Sequence, residues 1–105
     1  MNENTCIKRY PLSLRTKSKI ELPYKANITT VVCCGDKPTL FARVRTDLRL
    51  YSRKILCLRE NEKMPDNVDI YDYEYLDTIV VRDKAAIEGN TAYTYYIDKQ
   101  NDYYD

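Results

Sequence analysis

Histidine and tryptophan are absent from this sequence, and only two glycines and one phenylalanine occur. Without histidine the chain lacks the usual general base near neutral pH, so Ser and Cys triads of the common type are excluded. The chain lacks the closely spaced glycines that a phosphate loop or a dinucleotide fingerprint needs. Long apolar runs are missing as well. The longest nearly apolar stretch, Ile28 to Cys34, spans seven residues and includes two threonines, whereas a spanning helix needs about 20. Met1-Asn2-Glu3-Asn4-Thr5 is polar, with no apolar signal core behind it. A chain of 105 residues is the size of one domain, and residues 1–105 are read as one, with 98–105 as a polar, frayed tail.

Four cysteines are present: Cys6, Cys33, Cys34 and Cys57. Their spacing contains no C-x-x-C, and no histidine is available to complete a zinc site, so neither metal nor other cofactor is expected. In a reducing compartment disulfides are not expected either, and small buried apolar residues are the ordinary reading.

What the chain has is tyrosine, eleven of them, and charge. Residues 1–59 hold thirteen Lys and Arg against four acids, a net of +9; residues 60–105 hold four against twelve, a net of −8, which leaves the overall +1. Such a split has three outlets. The halves neutralise each other across a sheet, one subunit's basic face meets another's acidic face, or the basic part binds a phosphate-bearing ligand.

Helical periodicity is weak, and β-branched and aromatic residues fill the apolar runs. Cys6–Leu14 reads as a first strand, with Pro11 marking an edge or a bulge. Ser18–Leu22 is a second, stopped by Pro23. Asn27–Cys34 and Thr39–Thr46 form a hairpin about Gly35-Asp36-Lys37-Pro38. Leu48–Ser52 is a helical turn or a loop, and Arg53–Arg59 a fifth strand. Val68–Glu74 is a short strand or an extended loop. Tyr75–Arg82 and Thr91–Ile97 are the last strands, joined by a connector over 83–90. The expected fold is therefore all-β: a compact antiparallel sandwich or barrel-like sheet of about seven short strands, with at most one short helix.

Ile7-Lys8-Arg9-Tyr10-Pro11-Leu12, Ile20-Glu21-Leu22-Pro23 and Pro38-Thr39-Leu40-Phe41-Ala42-Arg43-Val44 follow one another in an order that resembles a family of small phage and prophage proteins. Those proteins open with an I-Y-K-Y-x-L strand, continue with I-x-L-P and P-x-L-x-A-x-V, and close on a Y-x-G-T-V strand and an aromatic strand. The closing pair here is Tyr75-Leu76-Asp77-Thr78-Ile79 and Ala92-Tyr93-Thr94-Tyr95-Tyr96-Ile97. Asp77 replaces the family's glycine, and an acidic, tyrosine-bearing segment replaces its glycine-rich middle. The resemblance covers most of residues 7–97. It implies a largely β phage-type accessory protein, acting in the host bacterial cytoplasm, and supplies no site.

Binding is the class that the residues favour over catalysis. On strand four, period-2 alternation places Phe41, Arg43 and Arg45 on one face. With Tyr51, Arg53 and Lys54 they make a candidate ligand site, since guanidinium forks grip phosphate and aromatic faces hold bases. Tyr71, Tyr73, Tyr75, Tyr93 and Tyr95 are a candidate protein interface, against the ordinary role of tyrosine as half-buried core. The carboxylates Asp69, Asp72 and Asp77 read as solvated surface, and Asp83-Lys84 is too short a signal for a nuclease.

The leading expectation is a counter-defence protein that sequesters a small anionic nucleotide ligand, of cyclic-nucleotide or ADP-ribose type, without cleaving it. The alternatives are an inhibitor that covers a host defence protein with its acidic, Tyr-rich surface, and a virion structural or assembly protein. A homo-oligomer is expected. Membrane and duplex DNA are not expected partners: no recognition helix is visible, and the acidic half repels phosphate.

Overall fold

The computed structural model describes residues 4–82 and 89–99. Seven strands form two antiparallel sheets. They are β1 (Thr5–Pro11), β2 (Lys17–Pro23), β3 (Asn27–Cys34), β4 (Lys37–Arg45), β5 (Leu50–Arg59), β6 (Tyr73–Arg82) and β7 (Asn90–Asp98). A single 3₁₀ turn, Ile70–Asp72, precedes β6. One sheet has the order β1-β4-β3 and the other β2-β5-β7-β6. The expected β-sandwich is what forms. Among the described residues no helix is long and apolar enough to cross a membrane.

Alternation builds the core. Leu40, Ala42 and Val44 of β4 point inward and are buried, while Arg43 and Arg45 point out. From the four-stranded sheet Leu22, Ile55, Cys57, Ile79, Val81, Tyr95 and Ile97 close on them. Prolines sit where a missing N–H is tolerated: Pro11 ends β1 and Pro23 ends β2, and both strands are edges. The first strand thus stops at Pro11, short of Leu14. The β3–β4 hairpin needs only Gly35-Asp36 between paired Cys34 and Lys37. Gly35 takes φ 64°, which suits a two-residue turn.

Three segments differ from their sequence expectation. Leu50 to Ser52 is strand, continuous with Arg53–Arg59, because β2 pairs with it as far as Pro23↔Leu50. Val68–Glu74 divides into loop, 3₁₀ turn and the start of β6. Asp98 belongs to β7 and is not tail; residues 100–105, like most of the connector at 83–88, lie outside the described residues. The cysteines also diverge. Cys57 is buried, and burial pushes its thiol up from its ordinary value. Cys6 and Cys34 are exposed, on an edge strand and beside a turn.

Leu56 is fully buried yet stands outside the cluster between the sheets. Its register partner Lys17 is exposed, which puts Leu56 on the outer face of the four-stranded sheet. The 60–72 segment crosses that face and is fastened at both ends. Glu60 exchanges bonds with the Ala92 backbone, and Glu62 accepts from Arg59 N–H and the Thr16 hydroxyl. At the far end Lys99 N–H donates to Asp72 O. Tyr95, fully buried, donates its hydroxyl to Ser13 O at 2.8 Å and so ties the β1–β2 connection to the core. Tyr95→Phe removes that bond, and urea unfolding is expected to show a loss of about 1 kcal/mol. Leu40→Ala, at a fully buried position, is expected to cost about 2–5 kcal/mol in the same measurement.

Candidate functional site

The six residues of the sequence-derived ligand site fall on two sheets. Phe41, Arg43 and Arg45 lie on the outer face of the β1-β4-β3 sheet, where neither of the two cavities described below opens. Arg45 is engaged by Asp47 at 2.7 Å. The Arg9 guanidinium stands 5.6 Å from the Phe41 ring centroid. Arg43 is exposed and makes no ion pair among the described residues. Tyr51, Arg53 and Lys54 are on β5 of the other sheet. Tyr51 packs edge-on to Tyr24 at 5.8 Å, with Arg49 beside it at 5.7 Å.

Arg53 is the exception among the arginines, since only 7% of it is exposed. Its Nε donates to Asp98 Oδ1 at 2.7 Å, and a second guanidinium nitrogen donates to the Asp98 carbonyl oxygen. The other carboxylate oxygen of Asp98 accepts from Lys54 N–H. Arg53 is therefore already occupied by an internal acid and is not available to an outside anion. It lines a cleft of about 410 Å³ between the edge strands β3 and β6. Both strands bulge there, at Ile28/Thr30 and at Tyr75/Asp77.

A larger groove, about 810 Å³, lies on the outer side of the four-stranded sheet, within the about 300–1,000 Å³ usual for small-molecule sites. Its floor is a row across all four strands. Lys19 of β2 stands directly opposite Lys54 of β5. The Lys54 N–H bond leads on to Asp98 of β7, and Asp98 is the register partner of Tyr73 of β6. Strand spacing makes this row about 14 Å long. Lys17 and Lys99 add two more ammonium groups, and Asn67, Val68, Asp69 and Asp72 form the roof. The roof's last turn is fixed by Asp69, whose carboxylate accepts from Tyr71 N–H at 2.9 Å.

The electrostatics of the floor follow from these contacts. Like charges directly opposite on neighbouring strands are destabilising. Lys19 and Lys54 nevertheless face each other, and neither has an ion pair among the described residues. The nearest floor acid, Asp98, is neutralised by Arg53. Ser18, between the two lysines on β2, pairs with the core residue Ile55, so alternation turns its side chain away from the groove floor and toward the inner face of the sheet.

The tyrosines divide by burial. Tyr93 and Tyr95, 8% and 0% exposed, are core and present no surface to a partner, which corrects their reading as interface. Tyr73 lines the groove. Tyr75 is 59% exposed and packs edge-on to Tyr96. Tyr71 is 81% exposed, at the apex of the 3₁₀ turn. The sequence reading missed Lys17, Lys19 and Lys99 as partners of Lys54. The alternation Lys17-Ser18-Lys19 was the available signal, since it puts both amines on one face of a strand. No group of His, Cys, Asp or Glu among the described residues is arranged to hold a metal. Comparison of the chain with protein-family models, curated proteins and solved structures returns no match.

Removing one partner of a buried ion pair strands the other. Asp98→Ala is expected to cost about 2–4 kcal/mol in urea unfolding, below the full buried-pair loss because a quarter of the Asp98 side chain stays exposed. Bonds from Arg59 N–H and then the Thr16 hydroxyl hold the Glu62 carboxyl below its ordinary 4.5. The Arg45 side chain does the same for Asp47, below 3.8. Groups lowered on folding give stability that is complete above their ordinary values and is lost as pH falls through the folded ones. The unfolding midpoint should thus hold steady down to about pH 5 and fall below it, with a shallower fall in Glu62→Gln.

Proposed function

We propose that the protein is a binding module that holds a small anionic nucleotide-type ligand in the outer groove of its four-stranded sheet and does not transform it. The observation that carries this reading is the in-register Lys19–Lys54 pair on the groove floor, neither member of which is in an ion pair among the described residues. Two ammonium groups held side by side against their own repulsion are stabilised by an anion that bridges them. Charge-assisted bonds of this kind to phosphate are worth about 1.5–3 kcal/mol each.

The rest of the row suits a nucleotide. Tyr73, at the β6 end, offers a ring to a base, and the Asp72 carboxylate in the roof is an acceptor for ribose hydroxyls. The span from Lys19 to Tyr73 is that of a ligand with phosphate at one end and an aromatic ring at the other. Binding without turnover is consistent with a chain that has no histidine. The resemblance of residues 7–97 to small phage and prophage proteins suggests the setting: a counter-defence sponge for a nucleotide messenger in the host cytoplasm.

Calorimetry with ADP-ribose and a panel of cyclic nucleotides tests the reading. At least one ligand is expected to bind and to be recovered intact. Lys19→Ala and Lys54→Ala should each weaken that binding about tenfold or more, whereas Arg43→Ala, on the other sheet, leaves it unchanged. No heat with any of these ligands, or wild-type affinity in both lysine variants, overturns it.

A further inference from the structure

Part of the basic half's charge is gathered on the outer face of the three-stranded sheet. Register assigns Ile7 and Arg9 of β1, Phe41, Arg43 and Arg45 of β4, and Thr30 and Val32 of β3 to the outer face of the three-stranded sheet. That face carries no acid. Arg45 is satisfied by Asp47 at its margin, while Arg9 and Arg43 have no ion pair among the described residues. Ile7 and Val32, 58% and 37% exposed, add apolar area around the Arg9–Phe41 contact.

The segment that roofs the groove lysines on the opposite layer carries the complement. Residues 60–77 hold seven acids and a single lysine. None of those acids is in an ion pair, because the two pairs among the described residues are Arg45–Asp47 and Arg53–Asp98. At the apex of this segment stands Tyr71, the most exposed large hydrophobic side chain of the fold, between Asp69 and Asp72. Interfaces favour such a combination: a tyrosine anchor on one side, and arginine with an aromatic ring on the other.

We propose that the Tyr71 turn of one copy docks on the Arg9–Phe41–Arg43 face of a second copy, so that the protein self-associates head to tail. A chain cannot make this contact with itself, because its turn and its receiving face are on opposite sides of the sandwich. The contact is heterologous, so repetition extends it into a ring or an open filament. The receiving sheet, three strands wide and seven to nine residues long, offers about 350 Å². A standard interface buries about 800 Å² per partner. The association is consequently weak, concentration-dependent and sensitive to salt. It does not require the groove to be occupied.

Sedimentation velocity at low ionic strength tests it on three samples. Wild-type protein is expected to rise above its 12.4 kDa monomer mass with concentration, and to return to it at about 1 M salt, where screening acts within about 3 Å. Arg43→Glu keeps the turn and loses the face; Tyr71→Ala keeps the face and loses the turn. Each alone should remain monomeric, and a 1:1 mixture should form dimers and nothing larger. Both positions are exposed, so thermal melts matched to wild type confirm folding. Wild type that stays monomeric throughout overturns the proposal. So do variants that assemble like wild type, or a mixture of the two that never dimerises.

Discussion

The Arg53–Asp98 ion pair is the constraint on which the rest of this structure turns. Among the described residues it is the one ion pair that joins the basic first half of the chain to the acidic second half. Three bonds join the β5 residues to Asp98: two from the guanidinium and one from the Lys54 backbone. Their effect is to lock the end of β7 against β5, beyond the last register pair Ile55↔Ile97. A charge with only 7% of its residue exposed is retained in a protein only when paired and hydrogen-bonded. The pair meets that condition with both carboxylate oxygens and the Asp98 carbonyl engaged.

The same pair decides what the groove can do. Asp98 lies in the floor row between the lysines and Tyr73. Were its carboxylate free, Lys54 would have a partner of its own and the site would be nearly neutral. Because Arg53 takes that carboxylate from the core side, the floor amines have no ion-pair partner among the described residues, and the remaining carboxylates of the groove are Asp69 and Asp72 in its roof. Neutralisation across the sheet is thus local. Among the described residues it covers one pair, whereas Arg9, Arg43, Lys17, Lys19 and Lys54 are in no ion pair. Much of the +9/−8 division therefore survives folding as surface charge: basic on the outer faces of both sheets, at Arg9 and Arg43 on one and Lys17, Lys19 and Lys54 on the other, and acidic on the segment that roofs the four-stranded sheet.

The fold was legible because alternation and turn chemistry act locally. Leu40, Ala42 and Val44 against Phe41, Arg43 and Arg45 define strand and face within six residues, and Gly35 defines the hairpin. Pro11 marked an edge strand for the reason that it lacks an N–H. The site was legible only in part, because it depends on which strands become neighbours. Phe41 and Tyr51 are close in sequence, but the chain changes sheet between β4 and β5, so the candidate cluster is split between layers. Lys19 and Lys54, 35 positions apart, are brought together by a register that the sequence does not display. Tyr93 and Tyr95 were legible as strand residues but not as core. Their burial depends on β7 being an interior strand of its sheet, with the three-stranded sheet closing over its inner face.

The most direct measurement of the central claim is a titration of ¹⁵N-labelled protein with ADP-ribose, followed residue by residue. Amide shifts confined to Lys17–Lys19, Ser52–Ile55, Asn67–Tyr73 and Asp98–Lys99 are the result this account predicts. Shifts centred on Phe41–Arg45, or none at saturating ligand, would contradict it.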